Sequence, residues 1–198
     1  MNPISSLILA PSSVLEMRLR VIWTGKTRDA RLRALIDDYL KRLSHFARCE
    51  VSEFRESAAA TEKAGIDKDS QRITDGLHEG AINVLLDPEG IEWSSEQLAK
   101  VMQQWQDSGT KEVAFIVGGP GGVSAELSAR ANKRWSLSRL TLTHEMARVV
   151  LLEQLYRAYT IIHGLPIRSE QLRLERQDTS RVEDANYNGQ KKSTSLSR

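Results

Sequence analysis

Apolar residues recur along the chain in two alternating patterns, short continuous runs and longer stretches with helical spacing. The short runs predict four strands, RLRVIWT (18–24), CEVSEF (49–54), AINVLLD (81–87) and EVAFIVGG (112–119), and RWSLSRLTL (134–142) is predicted as a fifth strand or an extended segment. Helical spacing predicts helices over 31–46 and 61–79, from Ser94, from Ser124, and from Thr143 or His144 to Gly164. Strands and helices that alternate through short connections predict an α/β fold, an open parallel sheet with helices on both faces.

The last predicted helix is apolar over most of its circumference. Its apolar residues are Met146, Val149, Val150, Leu151, Leu152, Leu155, Tyr156, Tyr159, Ile161 and Ile162. Such a helix is buried on more than one side, either in the centre of a monomer or between the sheet and a partner subunit.

Both ends of the chain lack this periodicity. The first 16 residues hold an apolar patch that is too short to span a bilayer and has no basic residue before it, so we expect a disordered extension and no membrane segment. From Gln171 the chain is polar and charged. We expect an N-terminal extension over 1–16, a globular domain over 17–168 and a polar tail over 169–198.

Composition suits a soluble globular domain, with 198 residues, 40% hydrophobic and 27% charged. Cys49 is the only cysteine, which excludes an internal disulfide and a thiolate zinc cluster and fits a reducing cytoplasm. The net charge is only +2, but Met17 to Arg48 carries nine basic residues against three acidic ones. This imbalance is explained equally well by solvated helix faces or by a phosphate-facing surface.

A glycine-rich segment, FIVGGPGGVSAE (115–126), follows the fourth predicted strand. It lacks the lysine and hydroxyl of a Walker loop and fails the spacing of a dinucleotide fingerprint. A ligand without strong phosphate demands fits better. LLDPEG (85–90) ends the preceding predicted strand and alone is an ordinary turn composition. Side by side in an open sheet, two such strand ends form a ligand crevice.

The segment after these loops carries hydroxyls and then charges. Serines and threonines alternate with leucines between Trp135 and Thr143, beside the glycine loop. In the last helix Arg148, Glu153 and Arg157 interrupt the apolar surface, and the Glu153 to Arg157 spacing is that of a structural salt bridge. His144 at the helix start is either a cap or a functional residue.

Four segments in this order, MRLRVIWTGK, LLDPEG, IVGGPGGVS and WSLSRLTLTHEMARVVLLEQLYRA, resemble the RlmH family of SPOUT-class methyltransferases that act on large-subunit ribosomal RNA. The similarity covers about Met17 to Pro166. It implies a trefoil-knotted α/β fold with the knot near the C-terminal end of the domain, S-adenosylmethionine bound in the knot, and a cytoplasmic homodimer. It also implies methylation of N3 of a pseudouridine in 23S ribosomal RNA on assembled ribosomes, with no metal.

Site residues follow from the same resemblance. The implied cofactor residues are Leu86, Asp87, Gly90, Gly118, Gly119, Pro120, Gly122, Ser138, Arg139, Leu140, Thr141, Leu142 and Thr143. The implied catalytic candidates are His144, Arg148, Glu153 and Arg157. Because the donor's sulfonium is cationic, a loop without lysine is expected.

One departure concerns the substrate end of the site. Family members end with a Pro-Tyr-His-Arg-like sequence, whereas Ile167 and Arg168 follow Pro166 in this chain and a tail continues to Arg198. Arg168 is therefore the candidate substrate-binding residue. Two other interpretations stay open, a non-catalytic ribosome-binding or assembly factor that keeps the SPOUT fold, and a SPOUT methyltransferase with a different RNA target.

Overall fold

The computed structural model describes residues 17–165. The strands are β1 (Arg18–Thr24), β2 (Cys49–Phe54), β3 (Ile82–Glu92), β4 (Glu112–Val117) and β5 (Lys133–Ser136). The helices are α1 (Ala30–Leu43), α2 (Lys63–Asp75), α3 (Ser95–Asp107), α4 (Ala125–Ala129) and α5 (His144–Ile162). The expected extension 1–16 and tail 169–198 lie outside the described residues.

Two compact units divide the chain, Met1–Tyr159 and Thr160–Arg198. The first unit contains the sheet, α1 to α4 and most of α5. In the second unit, the described residues form the end of α5 and a turn at Gly164, whose φ is +63°.

All five strands are parallel, in the order β2-β1-β4-β3-β5. The predicted α/β class and parallel sheet are therefore confirmed. β4 is buried along its whole length, as its continuous apolar run predicts. Parallel strands bring all their carboxyl ends to one edge of the sheet, which is where ligands bind in open α/β sheets.

Helices cover both faces of the sheet. On one face, Ile22 of β1 and Ile116 of β4 pack with Ile73 of α2 and Leu127 of α4. Successive strand residues point to opposite faces, so Trp23 lies on the other one. There the guanidinium of Arg148 in α5 stands 5.0 Å from the centre of its ring.

The predicted helix starts are confirmed at two caps. The hydroxyl of Ser94 accepts a hydrogen bond from Gln97 N, and Oε1 of Gln97 accepts one from Ser94 N at 2.8 Å, which completes a capping box. The hydroxyl of Ser124 likewise accepts a hydrogen bond from the main chain of Leu127. The second helix is shorter than predicted and ends before Gly76.

The largest difference from the predicted elements is in β3, which continues through the Asp-Pro-Glu-Gly stretch as far as Glu92. Trp135 of β5 pairs with Leu86 before that stretch and with Ile91 after it. The intervening residues form a bulge, and pairing with β5 overrides the turn composition of the segment. Conversely, β5 ends at Ser136, so Leu137 to Leu142 form a loop.

Candidate functional site

A cavity of about 480 Å³ opens at the carboxyl ends of β4 and β5, beside the bulge in β3. Its lining residues are Leu86, Asp87, Pro88, Val117, Gly118, Gly119, Pro120, Gly122, Trp135, Ser136, Leu137, Ser138, Leu140, Thr141, Leu142, Thr143, His144 and Ala147. They come from the Asp-Pro-Glu-Gly segment, the glycine loop and the loop before α5. The structure thus brings the three sequence segments together around one space, which we call the donor cavity.

Most of the expected cofactor residues line this cavity. Two do not, Gly90 and Arg139. Arg139 is exposed, and its Nε donates to Glu92 at 3.0 Å. Sequence reasoning did not single out Trp135 and Ala147 as lining residues. Trp135 follows the strand alternation of β5, and a charge-free apolar residue gives no chemical signal from sequence alone.

The glycine loop folds back on itself. Gly122 N donates to Gly119 O at 3.0 Å, and the two residues form an isolated antiparallel bridge. Gly122 has a φ of +83°, a conformation that favours glycine. At Gly118 an added Cβ would lie 3.1 Å from Val123 Cγ1. At Gly119 it would lie 2.9 Å from Thr24 Oγ1. The turn therefore favours glycine at position 122, and close packing against neighbouring side chains favours it at positions 118 and 119.

Gly90 packs against the main chain of β5. An added Cβ would lie 2.6 Å from the main-chain carbon of Arg134 and 2.6 Å from Trp135 N. The bulge in β3 therefore brings its backbone against β5, and only glycine fits at that distance. The structure places Gly90 in the sheet rather than in the cavity lining.

Hydroxyl groups of the loop before α5 are used locally. Ser136 Oγ donates to Ser138 O at 3.0 Å, and Ser138 Oγ accepts from Leu140 N at 3.0 Å. Thr143 Oγ1 accepts from Met146 N at 3.3 Å and so caps α5. These bonds fix the loop, and Leu140 projects from it with 75% of its surface exposed. A ligand in the cavity would cover part of that leucine.

Among the described residues, Asp87 is the only one that brings an acidic side chain to the lining. One carboxylate oxygen accepts from Glu89 N at 2.9 Å, and the other forms an ion pair with Arg134 at 2.7 Å. The side-chain hydrogen bond between Arg134 and Asp87 raises the pKa of Arg134. Within residues 17–165, no lysine or arginine contributes to the lining. Such a lining suits a ligand with a positive charge, and it offers no lysine or arginine to bind a phosphate group.

His144 is the one catalytic candidate that lines the cavity. Arg148 lies one turn further along α5 and is fully buried behind it. Its Nη1 donates to Thr27 Oγ1 at 2.8 Å and its Nη2 to the main-chain oxygen of Thr24 at 2.7 Å. Burial lowers the pKa of this guanidinium, while nearby carboxylates, Glu145 first, oppose the shift.

Glu153 and Arg157 form the expected ion pair along α5, with Arg157 Nε donating to Glu153 Oε1 at 2.9 Å. Neither residue lines the donor cavity. The expected substrate residue Arg168 lies outside the described residues. Of the four catalytic candidates, the structure therefore brings only His144 to the cavity.

Two further findings limit the chemistry. Within residues 17–165, no group of three or more His, Cys, Asp or Glu side chains is arranged to hold a metal ion. In the same part of the chain, every helix is too short or too polar to cross a bilayer.

A comparison with known families identifies the class of protein to which this fold and cavity belong. Residues 17–167 match the family described as "Predicted SPOUT methyltransferase". The chain belongs to the SPOUT methyltransferase family, which confirms the class of protein that the sequence motifs resemble.

Relatives within this family carry a more particular name. A protein of Geotalea daltonii, named "Ribosomal RNA large subunit methyltransferase H", is 42% identical over 150 residues, which is 76% of this chain and 98% of that protein. A protein of Gloeobacter violaceus with the same name is 41% identical over 151 residues, 76% of this chain and 97% of its own length. The match extends across almost the whole length of both relatives.

Among solved structures, one described as "Probable Methyltransferase from Bordetella pertussis Tohama I" superposes with a TM-score of 0.49 at 11% identity. It covers 74% of this chain and 96% of that one. The family assignment does not depend on this likeness.

Proposed function

We propose that this protein is an S-adenosylmethionine-dependent methyltransferase that methylates N3 of a pseudouridine in 23S ribosomal RNA of assembled ribosomes. The observation that carries the proposal is the convergence of the three motif-bearing loops on the donor cavity. Full-length relatives named as large-subunit ribosomal RNA methyltransferases support the choice of substrate.

The donor cavity fits the proposed cofactor in volume and in charge. About 480 Å³ lies within the range of small-molecule sites. A lining without lysine or arginine places no positive charge against a sulfonium, and Leu140 offers apolar surface that a ligand can cover. When bound, the cofactor supplies a methyl group on a positively charged sulfur. A trefoil knot around these loops, as the family resemblance implies, is part of the proposal.

In this proposal the chain's own residues bind and align the reactants. Main-chain groups of Gly118 and Gly119 border the donor, and the capped loop before α5 covers it. Holding two reactants in line supplies a large part of the rate enhancement in such reactions. Arg148 acts as a positioning residue because its hydrogen bonds join α5 to the end of β1 behind the lining of the donor cavity.

The imide N–H of the acceptor base must lose its proton during methylation. Of the described residues that line the cavity, only Asp87 and His144 carry a carboxylate or an imidazole, and Asp87 is already paired with Arg134. We therefore assign acceptance of the proton to His144. Glu153 and Arg157 are assigned to the structure of α5 and not to the reacting atoms.

We further propose a cytoplasmic homodimer in which α1 and α5 face the partner. Leu35 of α1 leaves 44% of its surface exposed. Next to it Tyr39 and Tyr156 are only partly buried, with ring centres 6.2 Å apart. A partner subunit would cover this apolar and aromatic surface. Light scattering at micromolar concentration is expected to give twice the chain mass, and a monomer would contradict the dimer.

The function is tested by transfer of a labelled methyl group from S-adenosylmethionine to intact ribosomes, followed by mass spectrometry of the nucleosides. We expect N3-methylpseudouridine in the large subunit. His144→Ala is expected to lower kcat by about a hundredfold, as removal of a general base does. Calorimetry should show that the variant binds the donor within about twofold of the unmodified protein, because His144 is only one of the 18 residues that line the cavity.

Two outcomes separate the alternatives. Tight donor binding with the methyl group appearing in transfer RNA would identify a different RNA target. Ribosome binding without measurable donor binding would identify a non-catalytic assembly factor and would end the methyltransferase proposal.

A further inference from the structure

A second cavity, of about 750 Å³, lies at the carboxyl ends of β1 and β2. Its lining residues are Gly25, Lys26, Arg28, Arg33, Glu53, Phe54, Arg55 and Glu56. Four of these eight are basic, whereas no lysine or arginine between residues 17 and 165 lines the donor cavity. Because all strands are parallel, the two cavities share one edge of the sheet yet differ in charge. We call the second one the basic cavity.

The two cavities are neighbours across a single glycine. Gly119 lines the donor cavity, and a Cβ added to it would lie 2.9 Å from Thr24 Oγ1 and 4.0 Å from Glu56 Oε1. Glu56 in turn lines the basic cavity, and its carboxyl carbon is 3.2 Å from a Cβ added to Gly25. The Glu56 carboxylate is therefore held between two glycines, with the donor cavity beyond Gly119.

Three of the four cations around the basic cavity are available to a ligand. The side chains of Lys26, Arg28 and Arg55 are exposed and form no ion pair or side-chain hydrogen bond with any residue between 17 and 165. The fourth, Arg33, donates to Thr27 O at 3.2 Å and stiffens the turn after β1. Exposed cations that converge on one concave surface attract a polyanion far more strongly than cations scattered over a surface.

Donor and acceptor must meet for a methyl group to be transferred, and in the described part of the chain no lysine or arginine lines the donor cavity to hold phosphates. We infer that the basic cavity docks the phosphodiester backbone of the acceptor RNA, with Lys26, Arg28 and Arg55 as its phosphate contacts. This inference rests on the proposed function and adds the position of the acceptor RNA on the protein. Glu56 opposes phosphate binding in this arrangement, because its negatively charged carboxylate lines the basic cavity next to Gly119, the glycine between the two cavities.

The test compares two double variants that remove the same charge from opposite edges of the sheet. Lys26→Ala with Arg55→Ala empties the basic cavity of two cations. Lys111→Ala with Lys133→Ala removes two exposed lysines at the amino-terminal edge, just before β4 and at the start of β5. Binding of the full chain to intact ribosomes is measured between about 50 and 200 mM salt, a range over which affinity that depends on phosphate contacts falls steeply.

For the basic-cavity variant we expect affinity to fall at least about tenfold and the slope of log K against log salt to shrink by about 2, one unit per lost phosphate contact. The control variant is expected to stay within about twofold, since its lysines face no docked RNA. Glu56→Gln should bind more tightly than the unmodified protein, because it removes like charge from the phosphate path. Unchanged donor affinity in calorimetry shows that each variant is folded.

Equal weakening by both double variants, or weaker binding by Glu56→Gln, overturns the inference, and so does a lack of ribosome binding by the unmodified protein. Methyl transfer is measured separately. Ribosome binding with the expected pattern but no transfer from S-adenosylmethionine would overturn the proposed function and leave the docking site supported.

Discussion

Arg148 Nη2 donates a hydrogen bond of 2.7 Å to the main-chain oxygen of Thr24, the last residue of β1. The same guanidinium reaches Thr27 Oγ1 and lies over the ring of Trp23. One fully buried cation therefore joins the first helical turns of α5 to the end of β1, between the donor cavity and the basic cavity. The contact spans more than 120 residues of sequence.

Loss of this cation should destabilise the fold. Arg148→Met keeps the length of the side chain but leaves the Thr24 carbonyl without its donor, so we expect the free energy of unfolding to fall by about 3 kcal/mol. Urea denaturation measures the change. The control is Arg139→Met, whose ion pair with Glu92 is at the surface and should contribute less than about 1 kcal/mol. Equal effects of the two substitutions would contradict a structural role for Arg148.

Gly119→Ala tests the wall of the donor cavity. Its new Cβ would lie 2.9 Å from Thr24 Oγ1, which is too close, and the loop would have to shift. We expect donor affinity to fall about tenfold, equivalent to about 1.4 kcal/mol. Calorimetry with S-adenosylmethionine measures it.

A second substitution shows whether the contact is the cause. Thr24→Ala removes the crowding hydroxyl, and that hydroxyl has no hydrogen-bond partner within residues 17–165. The double variant Thr24→Ala with Gly119→Ala should regain most of the lost affinity, a coupling that a double-mutant cycle quantifies. If Thr24→Ala rescues nothing, steric contact at this wall is not the reason for the glycine.

Gly90→Ala should behave differently, because its Cβ would meet main chain rather than a side chain. The atoms 2.6 Å away belong to the backbone of Arg134 and Trp135, and no side-chain substitution can remove them. We expect a loss of about 2 kcal/mol or more in the free energy of unfolding, as for other overpacked sites. Chemical denaturation measures it, and a stability equal to that of the unmodified protein would show that the bulge in β3 yields easily.

The order of strands and helices was predictable because each element carries its own local signal. The continuous apolar run of β4 predicts a strand buried on both faces, and Ser94 with Gln97 predicts a capping box. The extension of β3 beyond Asp87 was not predictable. A stretch with Asp, Pro and Gly favours a turn in isolation, and only its pairing with Trp135 makes it a strand.

The donor cavity was largely predictable for a similar reason, since each of its three segments is contiguous in sequence, and the glycine loop and the loop before α5 each follow a strand. The contacts of Arg148 were not predictable from the sequence, because its partners Thr24 and Thr27 are far away in the chain. The basic cavity was missed because Lys26 and Arg55 follow different strands and become neighbours only when β1 and β2 pair. Local sequence patterns contain no information about such contacts.

Glu145 provides a pH-dependent link beside these two sites. Its carboxylate accepts hydrogen bonds from Arg28 N at 3.0 Å and Asp29 N at 3.3 Å, so α5 is tied to the turn after β1. The bond from Arg28 is the main cause that lowers the pKa of Glu145 below its ordinary value of 4.5. A group with a lowered pKa in the folded state stabilises the fold above its unfolded pKa and loses that contribution as the pH falls through the folded value.

The expected result is a stability difference between the unmodified protein and Glu145→Gln that is constant from pH 7 to about pH 5 and shrinks below about pH 4.5. Urea denaturation across this range measures it. Because Glu145 lies near the surface, the difference should be well under about 1 kcal/mol at neutral pH. Glu79→Gln is the control, an exposed carboxylate in the turn before β3 without a side-chain hydrogen bond inside residues 17–165. A difference that grows as the pH falls would mean that the carboxylate is destabilising in the folded state, contrary to its two main-chain hydrogen bonds.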